Sequence, residues 1–491
     1  MLAGVDIGST GLKVSIFKEN GGRIAYAYRE YALEYLGNDQ VVIDPELWWH
    51  SFLSCIKELS SQNVLSGITA LGVSHANAMV LADENCTPVY KAIMQLDKRG
   101  AGEIRTIEKD IGSDKVLEIT GNAIREGYTW GPTLKWFQKN EPEIYSKART
   151  VFNPSSYLVM KLTGAYCMDH TRACTTSLYD MKKGKWAEDL CRYFGIDPGN
   201  MPPLCKSDEI VGTVSGEAAD AGLPKGALVI AGAMDTIAAM IGLTSGLNNN
   251  ALIMGSVGRF ALIPDHADAR FLNTVTFDQR AIVSMTPVNN AGTALRWGRN
   301  LLYSERSDED NRYAKMDALA SQIPQGSEGL LFLPFLNGTS CPDWDSSVRG
   351  GFLNIEAYHG PGHFCRAIME GVSYTLARNY FILRDEIGIK EGPIYCGGGG
   401  ARSMLWMQIV ADLIDCELYI PQNLETETMG CAMLAGLSAG EIGPKDLALW
   451  NSIKQTLQPD KDHSELYRTE LSKFLAAIEL IKESGKFGER K

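Results

Sequence analysis

At 491 residues the chain is too long for a single hydrophobic core and predicts about two to four domains. Its 45% hydrophobic and 22% charged residues belong to a soluble globular protein, and the net charge of −12 argues against nucleic acid or an anionic membrane as the main partner. No window approaches the roughly eighteen uninterrupted apolar residues of a membrane span, and the opening MLAGVDIG has no basic leader, so a cytoplasmic protein with no membrane partner is expected. The 11 cysteines are odd in number and form no CxxC pair, which suits free thiols in a reducing compartment. Cys167, His170 and Cys174 have a metal-like spacing but no nearby fourth ligand, so no metal site is expected there.

The first thirty-five residues read as three strands, LAGVDIG, LKVSIFK and RIAYAYREYAL, joined by the loop Gly8-Ser9-Thr10-Gly11 and the turn Asn20-Gly21-Gly22. Glycines and hydroxyls in such a loop let backbone N–H groups approach phosphate oxygens, although an ordinary hairpin would carry the same residues. Asp44-Pro45 then predicts an N-cap and first helical position for LWWHSFLSCIKELSSQ, and ITALGVSH follows as a strand. A βββαβ order with later alternating helices and strands predicts a mixed α/β sheet.

From about residue 229 the pattern repeats. LVIAGAMDTIAAMIGL reads as strand, turn and helix, and ALIMGSVGRFALIP as two strands around Gly255 to Gly258. This second hairpin echoes the first about 245 residues later, which predicts two similar domains facing one another. The acidic run Ser307 to Asn311 lacks the glycine and closing glutamate of a calcium loop and is expected to be a surface turn. GPIYCGGGGARSMLWMQIVADLI gives a strand, the glycines 397 to 400 and a helix opening at Ser403. The amphipathic segment HSELYRTELSKFLAAIELIKESGK is expected to close the chain as a helix.

Three glycine-hydroxyl loops after strands point to a nucleotide, yet neither GxxxxGK[ST] nor a GxGxxG at the first βα turn is present. With DIGSTGLKV, DPELWW, SHAN, LDKR, NEPEIY, AGAMDTIAAMIG, MGSVG, NNAGTALRW, LPFLNGTSCP, GGGGARSMLWMQIVADL and ETETMGCAMLAG in order, the whole chain resembles the FGGY family of carbohydrate kinases. The overall likeness is greatest to its xylulose kinases. The resemblance implies an α/β protein of two duplicated ribonuclease-H-like, actin-like ATPase domains with a cleft between them. We expect residues 1–243 to bind mainly the sugar and residues 244–491 mainly ATP, with Mg2+ as cofactor. The partners implied are a small sugar and ATP, and a homodimer is left open.

Carried onto this sequence, the resemblance assigns Asp235 as the general base and, with Asp6, as a magnesium-side acid. Phosphoryl transfer needs a positioned alcohol more than a strong base, so a carboxylate at a helix start is chemically sufficient, although alone it would read as an N-cap. Thr10, Lys13 and Ser256 are expected near the phosphates, Gly292 and Arg296 against the nucleotide, and Gly399, Gly400 and Ser403 at its adenosine end. His75, Asn77, Asp97, Tyr128 and Thr236 are the expected substrate residues. For His75 and Asn77 we expect direct bonds to sugar hydroxyls, His75 being neutral or charged near pH 7.

The sugar side departs from the family pattern. Xylulose kinases usually carry Gln-Met-His where this chain has His75-Ala76-Asn77, glycerol kinases carry Arg-Glu at Asn77-Ala78, and GTSCP lacks the glutamate and arginine of the xylulose kinase GERTP. A ketopentose such as D-xylulose is the first expectation, with other polyols, sugar acids and deoxysugars behind it. A chaperone-like ATPase or a non-catalytic sugar sensor could use the same fold. The sugar-side segments and the paired acids Asp6 and Asp235 favour the kinase.

Overall fold

The computed structural model describes residues 1–37, 39–244, 248–302 and 309–484. The chain divides into two compact units, the first comprising 1–248, 267–283 and 426–452 and the second 249–266, 284–425 and 453–491. They differ from contiguous halves, because two later segments return to the first unit. Part of the expected junction, residues 245–247, lies outside the described residues.

In unit 1, strand Leu2–Ile7 pairs antiparallel with Gly11–Phe17 and parallel with Ala70–His75. Arg23–Glu30 extends one side, while Leu228–Ile230 and Ala233–Met234 pair with Ala70–His75 on the other. The helix Pro45–Ser61 starts as expected, with the Asp44 carboxylate accepting from the Glu46 N–H at 3.0 Å and Pro45 in the first turn. Its Trp48, Trp49, Phe52, Cys55, Ile56 and Leu59 share one face and are buried. On strand Leu2–Ile7, a Cβ at Gly4 would sit 1.7 Å from the Thr428 carbonyl oxygen. Glycine there lets the helix Glu427–Ser438 pack directly onto the strand that carries Asp6, and the Thr428 hydroxyl donates to Ser15 at 3.0 Å.

Unit 2 repeats the pairing. Ala251–Met254 pairs antiparallel with Gly258–Leu262 and parallel with Ile394–Gly397, and Ile282–Val288, Leu418–Pro421 and Ile453–Leu457 extend the sheet. The duplicated hairpins read from the glycine loops are therefore the same structural element used twice. The closing helix Lys461–Ser484 is anchored through Tyr467, whose hydroxyl bonds both members of the buried Arg366–Glu370 pair. The acidic run from Ser307 lies partly outside the described residues, and its last three residues open the helix Glu309–Ala320 instead of forming a turn. Among the described residues, no helix is long and apolar enough to cross a membrane.

Candidate active site

In unit 1 the strand ends bring the expected acids together. Asp6 is 4% exposed, accepts from the Ser74 hydroxyl at 2.8 Å, and lies 3.8 Å from the Lys13 ammonium. Burial pushes its pKa up to about 7, Glu427 and Asp235 add to the rise, and Lys13 and Ser74 oppose it. Glu427 was missed in the sequence because only the fold carries it from ETETMG to this strand. Asp235 is the first residue of the helix Asp235–Thr244, and the Thr236 N–H and hydroxyl donate to its Oδ1 at 2.6 and 3.1 Å. Thr236 is buried and orients the carboxylate. Thr10 is exposed, and its carbonyl accepts from the Tyr31 N–H at 3.1 Å.

The raised pKa of Asp6 has a measurable consequence. The folded state keeps this proton from the ordinary value of 3.8 up to about 7, so ionisation removes stability as pH rises through that window. In magnesium-free buffer at pH 8, Asp6→Asn is expected to melt roughly 1–3 °C above the unsubstituted protein, and the gain should vanish at pH 4. Equal or lower melting at pH 8 would contradict the desolvated carboxylate.

Three expected sugar residues have different surroundings from those anticipated. His75 is fully buried, and its Nε2 accepts from Arg172 Nε at 3.1 Å. Burial and the Arg172 charge hold its pKa well below the usual histidine range, so it is neutral near pH 7. The Asn77 amide donates to the Gly127 and Tyr128 carbonyls at 3.1 and 3.0 Å, and its oxygen accepts from Trp130 Nε1 at 3.2 Å. It ties down the segment bearing the half-buried Tyr128 rather than presenting both amide groups to a sugar. Asp97 forms a buried bidentate pair with Arg99, at 2.9 and 2.8 Å, and accepts from the Val41 N–H at 2.8 Å. Arg99 in turn lies over Tyr90, Trp136 and Phe137.

Asn77→Ala leaves a buried indole N–H and two carbonyls without these partners. We expect it to cost about 2–3 kcal/mol in denaturant unfolding and to weaken sugar binding through displacement of Tyr128, with the KM for ATP nearly constant. Unchanged stability would mean that the three bonds do not hold this segment.

In unit 2, four separate segments surround one cavity of about 670 Å³. Its wall includes Ser256, Gly292, Arg296, Gly399, Gly400 and Ser403, so six of the eight expected nucleotide residues meet there. Thr10 and Lys13 belong to unit 1. The Gly292 N–H donates to the Gly255 carbonyl at 3.0 Å, and a Cβ at Gly292 would stand 2.6 Å from that oxygen. This close approach places the start of the helix Gly292–Leu302 against the Ser256 loop, where Arg296 Nη2 donates to Ser256 Oγ at 3.0 Å. Ser403 caps the helix Met404–Ile414 by accepting from the Trp406 N–H at 3.1 Å. Tyr313, Asp317 and Trp406 also line the wall and were missed: the segment of Tyr313 and Asp317 carries no glycine signal, and Trp406, on the helix that follows the four glycines, reads as an apolar core residue. Burial raises the pKa of Asp317, and a bond from Ser403 opposes the rise.

Residues 1–242 match the FGGY family of carbohydrate kinases, N-terminal domain, and residues 263–439 match its C-terminal domain. A xylulose kinase of Lactococcus lactis subsp. lactis (strain IL1403) is 31% identical over 89% of this chain and 87% of its own length. This chain belongs to the FGGY family of carbohydrate kinases. It is thus a phosphotransferase acting on a sugar hydroxyl with ATP, which sets the chaperone-like reading aside. A gluconokinase of Bacillus subtilis (strain 168) is 28% identical to the kinase over 98% of this chain and 96% of its own. The solved structure of a ligand-bound xylulose kinase from Lactobacillus acidophilus superposes with a TM-score of 0.90 at 21% identity, covering 99% of each chain, and shares the actin-like ATPase fold.

Proposed function

We propose that this FGGY kinase binds ATP in the unit 2 cavity and uses Asp235 of unit 1 to phosphorylate a hydroxyl of a small sugar, for which its relatives' names put a ketopentose such as D-xylulose first. The observation carrying the nucleotide side is the meeting of Ser256, Gly292, Arg296, Gly399, Gly400 and Ser403 around one cavity of about 670 Å³. Helix starts and glycine loops supply N–H donors for phosphate oxygens, and Arg296 adds a cation. The acceptor oxygen attacks the γ-phosphorus, the new O–P bond forms as the bond to ADP breaks, and the alcohol proton passes to the Asp235 carboxylate. Thr236 holds that carboxylate through Oδ1.

Asp6 and Asp235 fit a magnesium ion that keeps part of its water shell. The desolvated Asp6 carboxylate would be held ionised by a nearby cation, and no cage of three or more acidic, histidine or cysteine ligands exists among the described residues. Magnesium bound with ATP would neutralise phosphate charge during transfer. Lys13 lies 3.8 Å from Asp6 and would add a cation on the magnesium side.

Relatives named xylulose kinase favour a ketopentose, and relatives named gluconokinase keep a sugar acid as the second reading. With eleven free cysteines, we place the enzyme in the cytoplasm. The reading is tested by ADP release with ATP and magnesium across ketopentoses, polyols, sugar acids and deoxysugars. Release that depends on one acceptor supports it. Brisk ATP hydrolysis that no acceptor alters would refute it.

A further inference from the structure

Arg172 lies in the short helix His170–Ala173 and is only 2% exposed. Two similarly buried arginines, Arg99 and Arg366, each hold a carboxylate, Asp97 at 2.8 Å and Glu370 at 2.8 Å. Arg172 does not. Its Nε donates to the neutral His75 ring at 3.1 Å and its Nη1 to the Thr175 hydroxyl at 2.9 Å. Among the described residues no carboxylate stands within ion-pair distance of it, and Nη2 makes no hydrogen bond. Asp235 and Asp169 act on it only as surrounding charges. A guanidinium removed from water and lacking a contact anion is poorly satisfied until an anion arrives.

The surroundings direct that vacancy toward the acceptor side of the reaction. Strand register pairs His75 with Met234, the residue immediately before Asp235. In the guanidinium fork, Nε–H and Nη2–H point the same way, so the Nη2 donor lies alongside the His75 ring. Because His75 Nε2 accepts from Arg172, the ring proton sits on Nδ1, which is buried and has no partner. Asp169 Oδ1 is likewise buried and without a partner, while its Oδ2 accepts from the Thr171 N–H at 2.9 Å.

We propose that Arg172, held in place by His75, is a specificity-determining residue of the acceptor site and receives the carboxylate of a sugar acid. The proposal rests on the kinase reading and moves a sugar acid ahead of a neutral ketopentose. A carboxylate supplies both the missing charge and planar acceptors for Nη2–H. A neutral sugar of equal length leaves the guanidinium without its anion.

The test measures binding to the intact protein by calorimetry without ATP, using D-gluconate and D-glucitol, which share a six-carbon chain and differ by the carboxylate. Gluconate is expected to bind at least tenfold more tightly. Arg172→Gln should abolish that preference, and Arg172→Lys should keep most of it. Should Arg172→Gln not fold, the unsubstituted protein and Arg172→Lys still decide the matter. Equal or tighter binding of glucitol, no binding of either ligand, or a preference retained in folded Arg172→Gln would overturn the proposal. Failure of the kinase reading is distinct, because it would appear as acceptor-independent ADP release rather than as a lost binding preference.

Discussion

Asp235→Asn is expected to lower kcat by about 10²-fold or more while the KM for ATP stays within a few-fold. The substitution keeps the size of the side chain and an oxygen for the Thr236 N–H and hydroxyl, which donate to Oδ1 at 2.6 and 3.1 Å. What it removes is a carboxylate able to take the acceptor's proton. The cavity proposed for the nucleotide is lined by unit 2 residues, so its affinity should be insulated from this change. Single-turnover measurements with the best acceptor separate the chemical step from binding. Turnover equal to that of the unsubstituted enzyme would assign the base elsewhere.

Asp97→Ala should be among the most destabilising single changes in unit 1, at about 3–5 kcal/mol. The two side chains of the Asp97–Arg99 pair are 0% and 1% exposed, and removing the acid strands a guanidinium packed among Tyr90, Trp136 and Phe137. The Val41 N–H also loses its acceptor. Calorimetric melting should fall by on the order of 10 °C, with kcat of the remaining folded enzyme little changed. If stability were unaffected and the KM for the sugar rose instead, Asp97 would be a ligand rather than a strut.

Local signals were legible wherever the physics is local. Asp44 and Ser403 cap helices in the places their sequences indicate, and the two glycine loops join antiparallel strands in both units. The six unit 2 residues around the nucleotide cavity came from loop chemistry and the family resemblance, with the fold bringing their separate segments together. The commitments of polar side chains were not legible. His75 depends on Arg172, 97 positions away, and Asn77 on Trp130, 53 positions away. A hydrogen-bonding residue at a strand end looks like a ligand until its partner is known. The return of 426–452 to unit 1 was hidden for the same reason, since it depends on Gly4 admitting the Thr428 carbonyl.

The central claim is that one catalytic cycle moves a phosphoryl group from ATP to a sugar hydroxyl. The most direct measurement follows phosphorylated acceptor and ADP together by phosphorus NMR, with the best acceptor, ATP and magnesium. The account predicts one sugar phosphate for each ADP, no inorganic phosphate beyond background, and joint loss of both products in Asp235→Asn. ADP accompanied by inorganic phosphate, with no phosphorylated acceptor, would contradict it.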